Sequence, residues 1–369
     1  MLRVNHFFHR LKSKGTGLHA TRMTSLFFFS KCRANAAAPC LGSCKPVFSV
    51  LNRLYTVASH EKIDKNVFIH EVTPRDGLQN ENSTLNLDEK VQLVKNIVNT
   101  NPASIEVCSF VREDRVPAMK NSTELVARLS EDEKVMQARM SGMNFAALVP
   151  NLRGFETFLN TNERSHGFLD TVVVLTSSTE SHSKANVGMG LSNALDVTCK
   201  IIENACAENL RVYAFASLAF GCPFEGKVDP NVVKDIVHAY SEMDCTRIVL
   251  ADTQGVGHPD QVRELVNLVD KIVPREKIGM HMHDTHQKAH LNIVEGLKLG
   301  IQHFDSATGG CGGCNFAPGA LGNISTQKLL HTIETCIGDK YKHGMDHDAI
   351  REAQEHLEHC LEKQLPFKY

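Results

Sequence analysis

The chain has 369 residues, of which 42% are hydrophobic and 22% are charged, and its formal net charge is −2. This balance excludes a wholly disordered chain and is ordinary for an enzyme of one large domain or two average ones. No apolar run approaches the roughly 20 residues that span a bilayer, so we expect no membrane partner.

Charge is distributed unevenly along the chain. The first 60 residues contain nine of the 40 lysines and arginines and none of the 42 acidic residues, the first of which is Glu61. A basic, serine-containing and acid-free N-terminus is typical of a mitochondrial transit peptide, and a basic tail without function is the alternative. The other 309 residues carry 31 basic and 42 acidic side chains, which argues against nucleic acid as a partner.

Short β-rich segments alternate with helical periodicity from residue 66 onward. The predicted strands are Val67–Val72, Ser104–Ser109, Phe145–Val149, Thr171–Thr176, Arg211–Ser217, Thr246–Leu250, Ile278–His283 and Gln302–Ser306. The predicted helices include Asp88–Asn99, Gly190–Glu208, Pro230–Met243, Pro259–Ile272 and Gln287–Leu299. Eight strand–helix units in about 270 residues predict an α/β fold, namely a (β/α)8 TIM barrel with a short C-terminal helical extension.

An open doubly wound sheet is the alternative fold, although no Gly-x-Gly-x-x-Gly turn follows the first strand. For the barrel we expect three regions along the chain. They are a leader at 1–60, a catalytic barrel at 61–340 and a helical extension at 341–369. The leader predicts a location in the mitochondrial matrix.

Polar side chains lie within or just after the predicted strands. They are Arg75, Asp76, Glu106, Asn151, Glu180, Cys222, Asp252, His281, His283 and Ser306. A barrel assembles its active site from the carboxyl ends of several strands, so this shared phase favours a single active site over chance.

His281 and His283 are two residues apart in a predicted strand, so their imidazoles project side by side. With Asp76 from the end of the first strand, they form a ligand set for Mg²⁺ or Mn²⁺. Arg75 then places a fixed cation beside a substrate carbonyl. Two solvated histidines are the alternative for the first pair, and a structural ion pair is the alternative for Arg75 and Asp76.

Two further carboxylates lie at or within strands. Asp252 precedes a glycine-containing turn, where it orients a ligand, moves a proton or caps the following helix. Glu106 lies between Ile105 and Val107, so we expect it to point into the barrel and to pair with Arg75 or the metal shell.

The segment 309–323 is rich in glycine, which permits large backbone excursions such as those of a lid loop. It carries Cys314, a candidate general acid, and ends at Asn323, whose amide oxygen is a candidate metal ligand. A phosphate-binding loop is disfavoured, because the Lys-Ser/Thr that completes one is absent. A surface loop with an incidental pair of thiols is the other alternative.

With these segments in place, the chain resembles the 3-hydroxy-3-methylglutaryl-CoA lyase family, within the metal-dependent Claisen-type lyase barrels. The resemblance runs from about residue 66 to 335. Its landmarks are EVTPRDGLQNE at 71–81, Glu106 to Val111, PNLRGFE at 150–156, GCPFEGK at 221–227, DTQGVG at 252–257, HMHDT at 281–285 and the loop from Gly313 and Cys314 to Asn323.

The resemblance implies roles for individual residues. The implied metal ligands are Asp76, His281, His283 and Asn323. The implied catalytic residues are Arg75, Glu106, Asp252, His281 and Cys314. The implied substrate-binding residues are Arg75, Gln79, Arg211 and Tyr213. The related lyases also form homodimers, and the eukaryotic one has a mitochondrial leader.

Three positions depart from the family pattern. Cys311 and Asn315 replace the leucine and proline of the usual loop. An arginine that contacts the acyl substrate in the lyase is Tyr213 here, and Arg211, two residues away, is expected to substitute in part. Val249 replaces a serine of the sixth strand.

We therefore expect a divalent-metal-dependent retro-Claisen cleavage of 3-hydroxy-3-methylglutaryl-CoA to acetyl-CoA and acetoacetate. Two alternatives remain open because of these departures: a lyase acting on a different 3-hydroxyacyl-CoA, and a catalytically silent acyl-CoA-binding barrel. In all three readings the partner is an acyl-CoA.

Overall fold

The structure is a computed structural model that describes residues 65–81, 84–313, 322–336, 341–365 and 367. The predicted leader at 1–60 lies outside the described residues. None of the helices among the residues described is long and apolar enough to cross a membrane.

Eight parallel strands form a closed barrel, in which each strand pairs with the next along the chain and the last pairs with the first. The barrel strands are β2 (Phe68–Glu71), β3 (Ser104–Ser109), β4 (Asn144–Leu148), β5 (Thr171–Ser177), β6 (Arg211–Ser217), β7 (Arg247–Asp252), β8 (Ile278–Met282) and β9 (His303–Ser306). Two short strands, β1 (Lys65–Asn66) and β10 (Tyr341–Lys342), pair separately and in parallel.

Helices follow the barrel strands along the chain. They are α1 (Leu87–Asn99), α2 (Ser122–Ser130), α3 (Glu133–Met140), α4 (Leu152–Arg164), α5 (Glu180–Val187), α6 (Leu191–Ala207), α7 (Pro230–Ser241), α8 (Pro259–Val269), α9 (Ala289–Lys298), α10 (Thr326–Cys336) and α11 (His347–Leu361). A π-helical turn, Thr73–Gly77, follows β2.

Local sequence signals set where two of these helices begin. Asn86 accepts a hydrogen bond from the Glu89 backbone N–H, and the Glu89 carboxylate accepts one from the Asn86 N–H, which together form a capping box for α1. Asn151, one of the predicted polar strand-end residues, accepts from the Gly154 N–H and caps α4. Its position after a strand is therefore explained by helix capping.

The apolar side chains form two layers. The larger one lies between the strands and the surrounding helices and includes the buried face of α1. The smaller one, called the inner cluster below, fills the inside of the barrel beside the polar residues. Its members are Ala146, Leu148, Val173, Tyr213, Phe215, Val249 and Ala251. Inward and outward residues alternate along each strand, as barrel closure requires.

The predicted TIM barrel is confirmed, and the open doubly wound sheet is wrong because β9 pairs with β2. All eight predicted strands exist, and Ser104–Ser109 and Arg211–Ser217 have the predicted bounds. The seventh barrel strand ends at Met282, one residue before the prediction. His283 instead forms an isolated antiparallel bridge with Asn323.

Candidate metal centre and active site

The π-helical turn after β2 brings Asp76 close to two imidazoles, those of His281 in β8 and of His283 directly after that strand. Its Oδ2 lies 3.9 Å from His281 Nε2 and 3.7 Å from His283 Nε2. One ligand atom from each of the three residues lies within 4.8 Å of the others. Burial raises the pKa of Asp76, but the charge of Arg75 and the two imidazoles outweigh it and hold that pKa well below its usual value.

Asn323 completes this group from the far end of the glycine-rich loop. The Ile324 N–H donates to the Met282 carbonyl at 3.0 Å, which fastens the segment beside the end of β8. The Asn323 side-chain Nδ2–H then donates to Asp76 Oδ2 at 2.8 Å. The Asp76 carboxylate and the two imidazoles fit the donor set of a divalent cation such as Mg²⁺ or Mn²⁺, which these residues would hold.

Asp305 supports this group, and the sequence analysis did not single it out. Its Oδ2 lies 3.1 Å from His281 Nδ1, and its side chain is fully buried. Burial lowers the pKa of His281, but the hydrogen bond and charge of Asp305 outweigh burial and raise it. Asp305 is an acidic residue within a predicted strand, on the opposite face from its neighbour Ser306, and this position was the available signal.

Arg75 and Glu106 form a bidentate ion pair beside Asp76. Arg75 Nε and Nη2 each donate to a different Glu106 carboxylate oxygen at 2.8 Å, and Nη1 lies 2.5 Å from Asp76 Oδ1. Burial lowers the pKa of Arg75, but the charges of Glu106 and Asp76 outweigh it and raise the pKa. Gln79 Oε1 lies 3.5 Å from the same Nη1, at the edge of hydrogen-bond distance.

Asp252 lies at the end of β7 and is 1% exposed. Its carboxylate accepts from the Gly257 N–H at 2.7 Å and the Val256 N–H at 3.2 Å, so it closes the turn that leads to α8. Burial raises the pKa of this carboxyl, although both backbone bonds act against that rise. Its backbone carbonyl accepts from the His283 N–H at 3.2 Å, which ties the turn to the metal centre.

The structure does not bring Arg211 to this group. It opens β6 at the opposite end of the barrel, its side chain is 49% exposed, and it lies 3.5 Å from Asp170 Oδ2. Arg211 is on the same face of β6 as Tyr213, but it is the first residue of the strand and is therefore far from the site. Tyr213 is inside the barrel and 1% exposed, and Val249 belongs to the inner cluster beside it. Cys314 lies outside the described residues.

Three other polar residues at the predicted strand ends make contacts outside the candidate metal centre. Glu180 opens α5, and its carboxylate accepts from the Leu191 N–H at 2.8 Å. Cys222 Sγ lies 3.1 Å from Thr179 Oγ1 beneath a tight turn. Ser306 Oγ lies 3.0 Å from Thr326 Oγ1, where it joins β9 to α10.

A second histidine–carboxylate group lies on the far side of α10. Glu334 Oε1 lies 3.0 Å from His343 Nε2 and 2.8 Å from His347 Nε2. The Met345 N–H donates to His343 Nδ1 at 3.1 Å, so the proton of the neutral ring is on Nε2. That nitrogen donates to Glu334 and has no lone pair for a cation, which disfavours a metal here.

A closed parallel barrel with a carboxylate–imidazole centre at the carboxyl ends of its strands defines a TIM-barrel enzyme of the divalent-metal type. The family model described as HMGL-like matches residues 66–357. The chain therefore belongs to the HMGL-like family, and the enzyme is a carbon–carbon lyase.

Named relatives agree with this assignment. The chain is 34% identical over 295 residues to a 3-hydroxy-3-isohexenylglutaryl-CoA/hydroxymethylglutaryl-CoA lyase of Pseudomonas aeruginosa, covering 80% of this chain and 93% of that one. It is 32% identical over 282 residues to the mitochondrial hydroxymethylglutaryl-CoA lyase of Homo sapiens, covering 76% and 82%. A solved HMG-CoA lyase of Acinetobacter baumannii, in complex with coenzyme A and 3-methylmalate, is 28% identical with a TM-score of 0.73, covering 82% and 93%.

Proposed function

We propose that the protein cleaves 3-hydroxy-3-methylglutaryl-CoA to acetyl-CoA and acetoacetate. The observation that carries this proposal is the convergence of Asp76, His281, His283 and Asn323 beside Arg75. The three relatives named above, all of them hydroxymethylglutaryl-CoA lyases, support the choice of substrate.

The cleavage needs three events at the substrate. The tertiary hydroxyl loses its proton, the bond between C2 and C3 breaks to give a ketone, and the electron pair moves onto the thioester half as an enolate. A proton added to that enolate gives acetyl-CoA, and the ketone half leaves as acetoacetate. A divalent cation, Mg²⁺ or Mn²⁺, supplies Lewis-acid chemistry that lowers the pKa of the hydroxyl.

We assign the removal of the hydroxyl proton to Asp252 rather than to His281. His281 donates from Nδ1 to Asp305 and presents Nε2 as a ligand, so neither nitrogen has a lone pair left for a proton. Asp252 accepts two backbone N–H bonds but keeps further lone pairs with which it can accept a proton, and burial raises its pKa.

Arg75 holds the developing negative charge. Because Glu106 binds its Nε and Nη2 together, the guanidinium is fixed before the substrate arrives, and little reorganisation is needed during the reaction. We propose that Gln79, four residues along, contacts the same part of the substrate. Protonation of the enolate by Cys314 stays a prediction.

The direct test is an assay of the purified protein, first treated with a chelator and then supplied with Mg²⁺ or Mn²⁺. We expect acetyl-CoA and acetoacetate in equal amounts, and no product before metal is added. Asp76→Ala and His283→Ala should each abolish the activity. Normal metal binding without cleavage would reject the substrate, and absence of metal binding would reject the site.

A different 3-hydroxyacyl-CoA is the second candidate substrate. The observation that favours it is that Tyr213 and Val249, which depart from the family pattern, belong with Phe215 to the mostly apolar inner cluster. A panel of acyl-CoAs that differ only in the group on C3 distinguishes the two, because the true substrate has the highest kcat/KM.

We also propose that the protein acts in the mitochondrial matrix. The acid-free leader supports this, as does the mitochondrial relative in Homo sapiens. Fusion of residues 1–60 to a fluorescent protein tests it, because a leader without a targeting role leaves the fusion outside mitochondria. The homodimer stays a prediction that light scattering of the purified protein tests.

A further inference from the structure

The C-terminal tail, residues 362–365 and 367, turns back from the end of α11. Glu362 ends the helix with a φ of +51°, and its N–H donates to the His359 carbonyl at 3.3 Å. A residue in this left-handed conformation reverses the chain after a helix. Leu365 is only 3% exposed, and its N–H donates to the Glu358 carboxylate at 2.8 Å. The tail is therefore packed against the fold.

Leu365 covers Gly309, the first residue of the glycine-rich segment 309–323. A Cβ atom at Gly309 would clash with Leu365 Cδ1 and lie 3.0 Å from Leu365 Cβ, so the leucine occupies the space of the missing side chain. The φ of Gly309 is +68°, a conformation that glycine adopts without strain. The main chain at the start of the segment is therefore in direct contact with the tail.

Two buried glutamines connect the tail to the same glycine. The Gly309 N–H donates to Gln327 Oε1 at 3.0 Å, and the Gln327 Nε2–H donates to Gln354 Oε1 at 2.5 Å. Gln354 in turn donates from Nε2 to the Phe367 carbonyl at 2.7 Å. A side-chain amide accepts at oxygen and donates from nitrogen, so the two amides form one hydrogen-bonded chain from the tail to Gly309.

The same segment contacts the candidate metal centre two and three residues later. Asn323 Nδ2 donates to Asp76 Oδ2 at 2.8 Å and to the Cys311 carbonyl at 3.3 Å, so both of its N–H groups are used. Its Oδ1 is then the atom left for a cation. A Cβ atom at Gly312 would lie 2.9 Å from Asn323 Nδ2 and 3.2 Å from the Asp76 carbonyl oxygen. The orientation of Asn323 therefore depends on where residues 309–312 lie.

A second contact of the tail reaches the chain that follows Asp76. Lys363 Nζ forms an ion pair with Glu81 Oε2, and the Glu81 side chain is 9% exposed. The neighbouring Asn80 donates from Nδ2 to the Gly313 carbonyl at 2.7 Å. The tail thus contacts both the segment that follows Asp76 and the segment that leads to Asn323.

We propose that the C-terminal tail is a positioning element for the metal centre, with Leu365 as its main contact. By fixing Gly309, the tail fixes the Cys311 carbonyl, and that carbonyl orients Asn323. Leu365 acts through these other residues, so it is a positioning residue and not a catalytic one. This inference rests on the proposed function, because it concerns the metal site assigned there.

The first experiment measures metal binding and turnover together. Leu365→Ala removes the side chain that covers Gly309. We expect the affinity for Mn²⁺ and kcat each to fall by about 10-fold, as when a partner of a metal ligand is lost. Calorimetric titration of the metal-free protein measures the affinity, and steady-state kinetics at saturating Mn²⁺ measure kcat. Leu365→Met refills most of the space and should restore both quantities.

A matched variant separates positioning from general stability. Leu357 of α11 is fully buried, and Leu357→Ala should lower the thermal midpoint at least as much as Leu365→Ala does. It should nevertheless keep the Mn²⁺ affinity and the kcat of the wild type. Equal losses of Mn²⁺ affinity in the two alanine variants, or no loss in Leu365→Ala, would overturn the assignment.

Hydrogen exchange, followed by mass spectrometry, needs neither metal nor turnover. In the metal-free protein the amides of Gly309 and Gly310 should exchange faster in Leu365→Ala than in the wild type, and Leu357→Ala should match the wild type there. Gln327→Leu removes the acceptor of the Gly309 N–H and should accelerate the same amides.

These outcomes separate the inference from the proposed function. If the wild type binds no Mn²⁺, the proposed function fails, and the exchange rates still test the contact between the tail and Gly309. If the wild type binds Mn²⁺ and cleaves the thioester, but Leu365→Ala changes neither the exchange rates nor the affinity, only the positioning role fails.

Discussion

The Asp305 carboxylate accepts a hydrogen bond from His281 Nδ1 at 3.1 Å, deep inside the barrel. This bond places the ring proton on Nδ1 and leaves the lone pair of Nε2 facing Asp76, 3.9 Å away. A carboxylate behind a metal-binding histidine fixes the tautomer and makes the ring a better ligand. We therefore expect Asp305 to tune metal binding through His281.

Asp305→Asn should lower the affinity for Mn²⁺ by about 10- to 100-fold, because the amide no longer holds the ring with a charged acceptor. Calorimetric titration of the metal-free protein measures this change. Asp348→Asn, on an exposed residue of α11, is the control and should bind Mn²⁺ like the wild type. Unchanged affinity in Asp305→Asn would show that the ring orientation depends on packing instead.

Metal stoichiometry distinguishes the two histidine–carboxylate groups. We expect one Mn²⁺ per chain, because the His343 proton lies on the nitrogen that faces Glu334. Asp76→Ala should remove this binding, and a chelator should abolish activity in the wild type. Glu334→Ala should retain one tight site and normal activity. Two equivalents in the wild type, falling to one in Glu334→Ala, would contradict the tautomer argument.

Arg75→Lys tests whether catalysis needs the planar guanidinium group of Arg75 or only its positive charge. Glu106 binds Nε and Nη2 at once, and a lysine ammonium does not reproduce that geometry. We expect kcat to fall by about 100-fold or more while Mn²⁺ affinity stays within a few-fold. Calorimetry and steady-state kinetics on one preparation separate these effects. Comparable losses of metal binding and of kcat would place Arg75 in support of Asp76 alone.

The positions of several site residues could be predicted from where they lie along the strands. Asp76, His281 and Glu106 lie at strand ends or within strands, so a barrel with the predicted order brings them together whatever the details of packing. Asn323 was a candidate because it ends the glycine-rich segment, but strand phase does not place it, since its position depends on how that segment returns to β8. The main-chain bond from Ile324 to Met282 makes that return.

The sequence analysis did not single out Asp305, because its role depends on a side chain of another strand. From the sequence alone, Asp305 is one acidic residue within a predicted strand. Only the structure shows that it lies next to His281 of the neighbouring strand. For Arg211 the strand face was predicted, but its position along the strand was not taken into account. It is the first residue of β6 and therefore lies far from the carboxyl ends of the strands.

The Glu334 group should make stability depend on pH. Burial raises the pKa of Glu334, but hydrogen bonds from His343 and His347 outweigh it and lower the pKa. A lowered pKa adds stability above the unfolded-state pKa, and that stability is lost as the pH falls through the folded-state pKa. The unfolding free energy of the wild type should therefore fall as the pH is lowered. Because the group is partly exposed, the fall in Glu334→Gln should be smaller by only about 0.5 kcal/mol.

Urea denaturation at a series of pH values, from about 6 down to about 3, measures this difference across the carboxyl titration range. Glu352→Gln, an exposed carboxyl of α11, should follow the wild-type curve. A Glu334→Gln curve parallel to that of the wild type would show that the two histidines give no net stabilisation.

Gly77, directly after the proposed metal ligand Asp76, packs against Cys311 near the start of the glycine-rich segment. A Cβ atom at Gly77 would lie 2.5 Å from Cys311 Sγ, so Gly77→Ala should destabilise the fold by about 1–3 kcal/mol through overpacking. Cys311→Ala removes the obstructing atom and should restore most of that loss in the double variant, at a small cost of its own. A double-mutant cycle of urea unfolding measures the coupling between the two positions. Simple additivity of the two single changes would show that the backbone of the π-helical turn, rather than the thiol, rejects the methyl group.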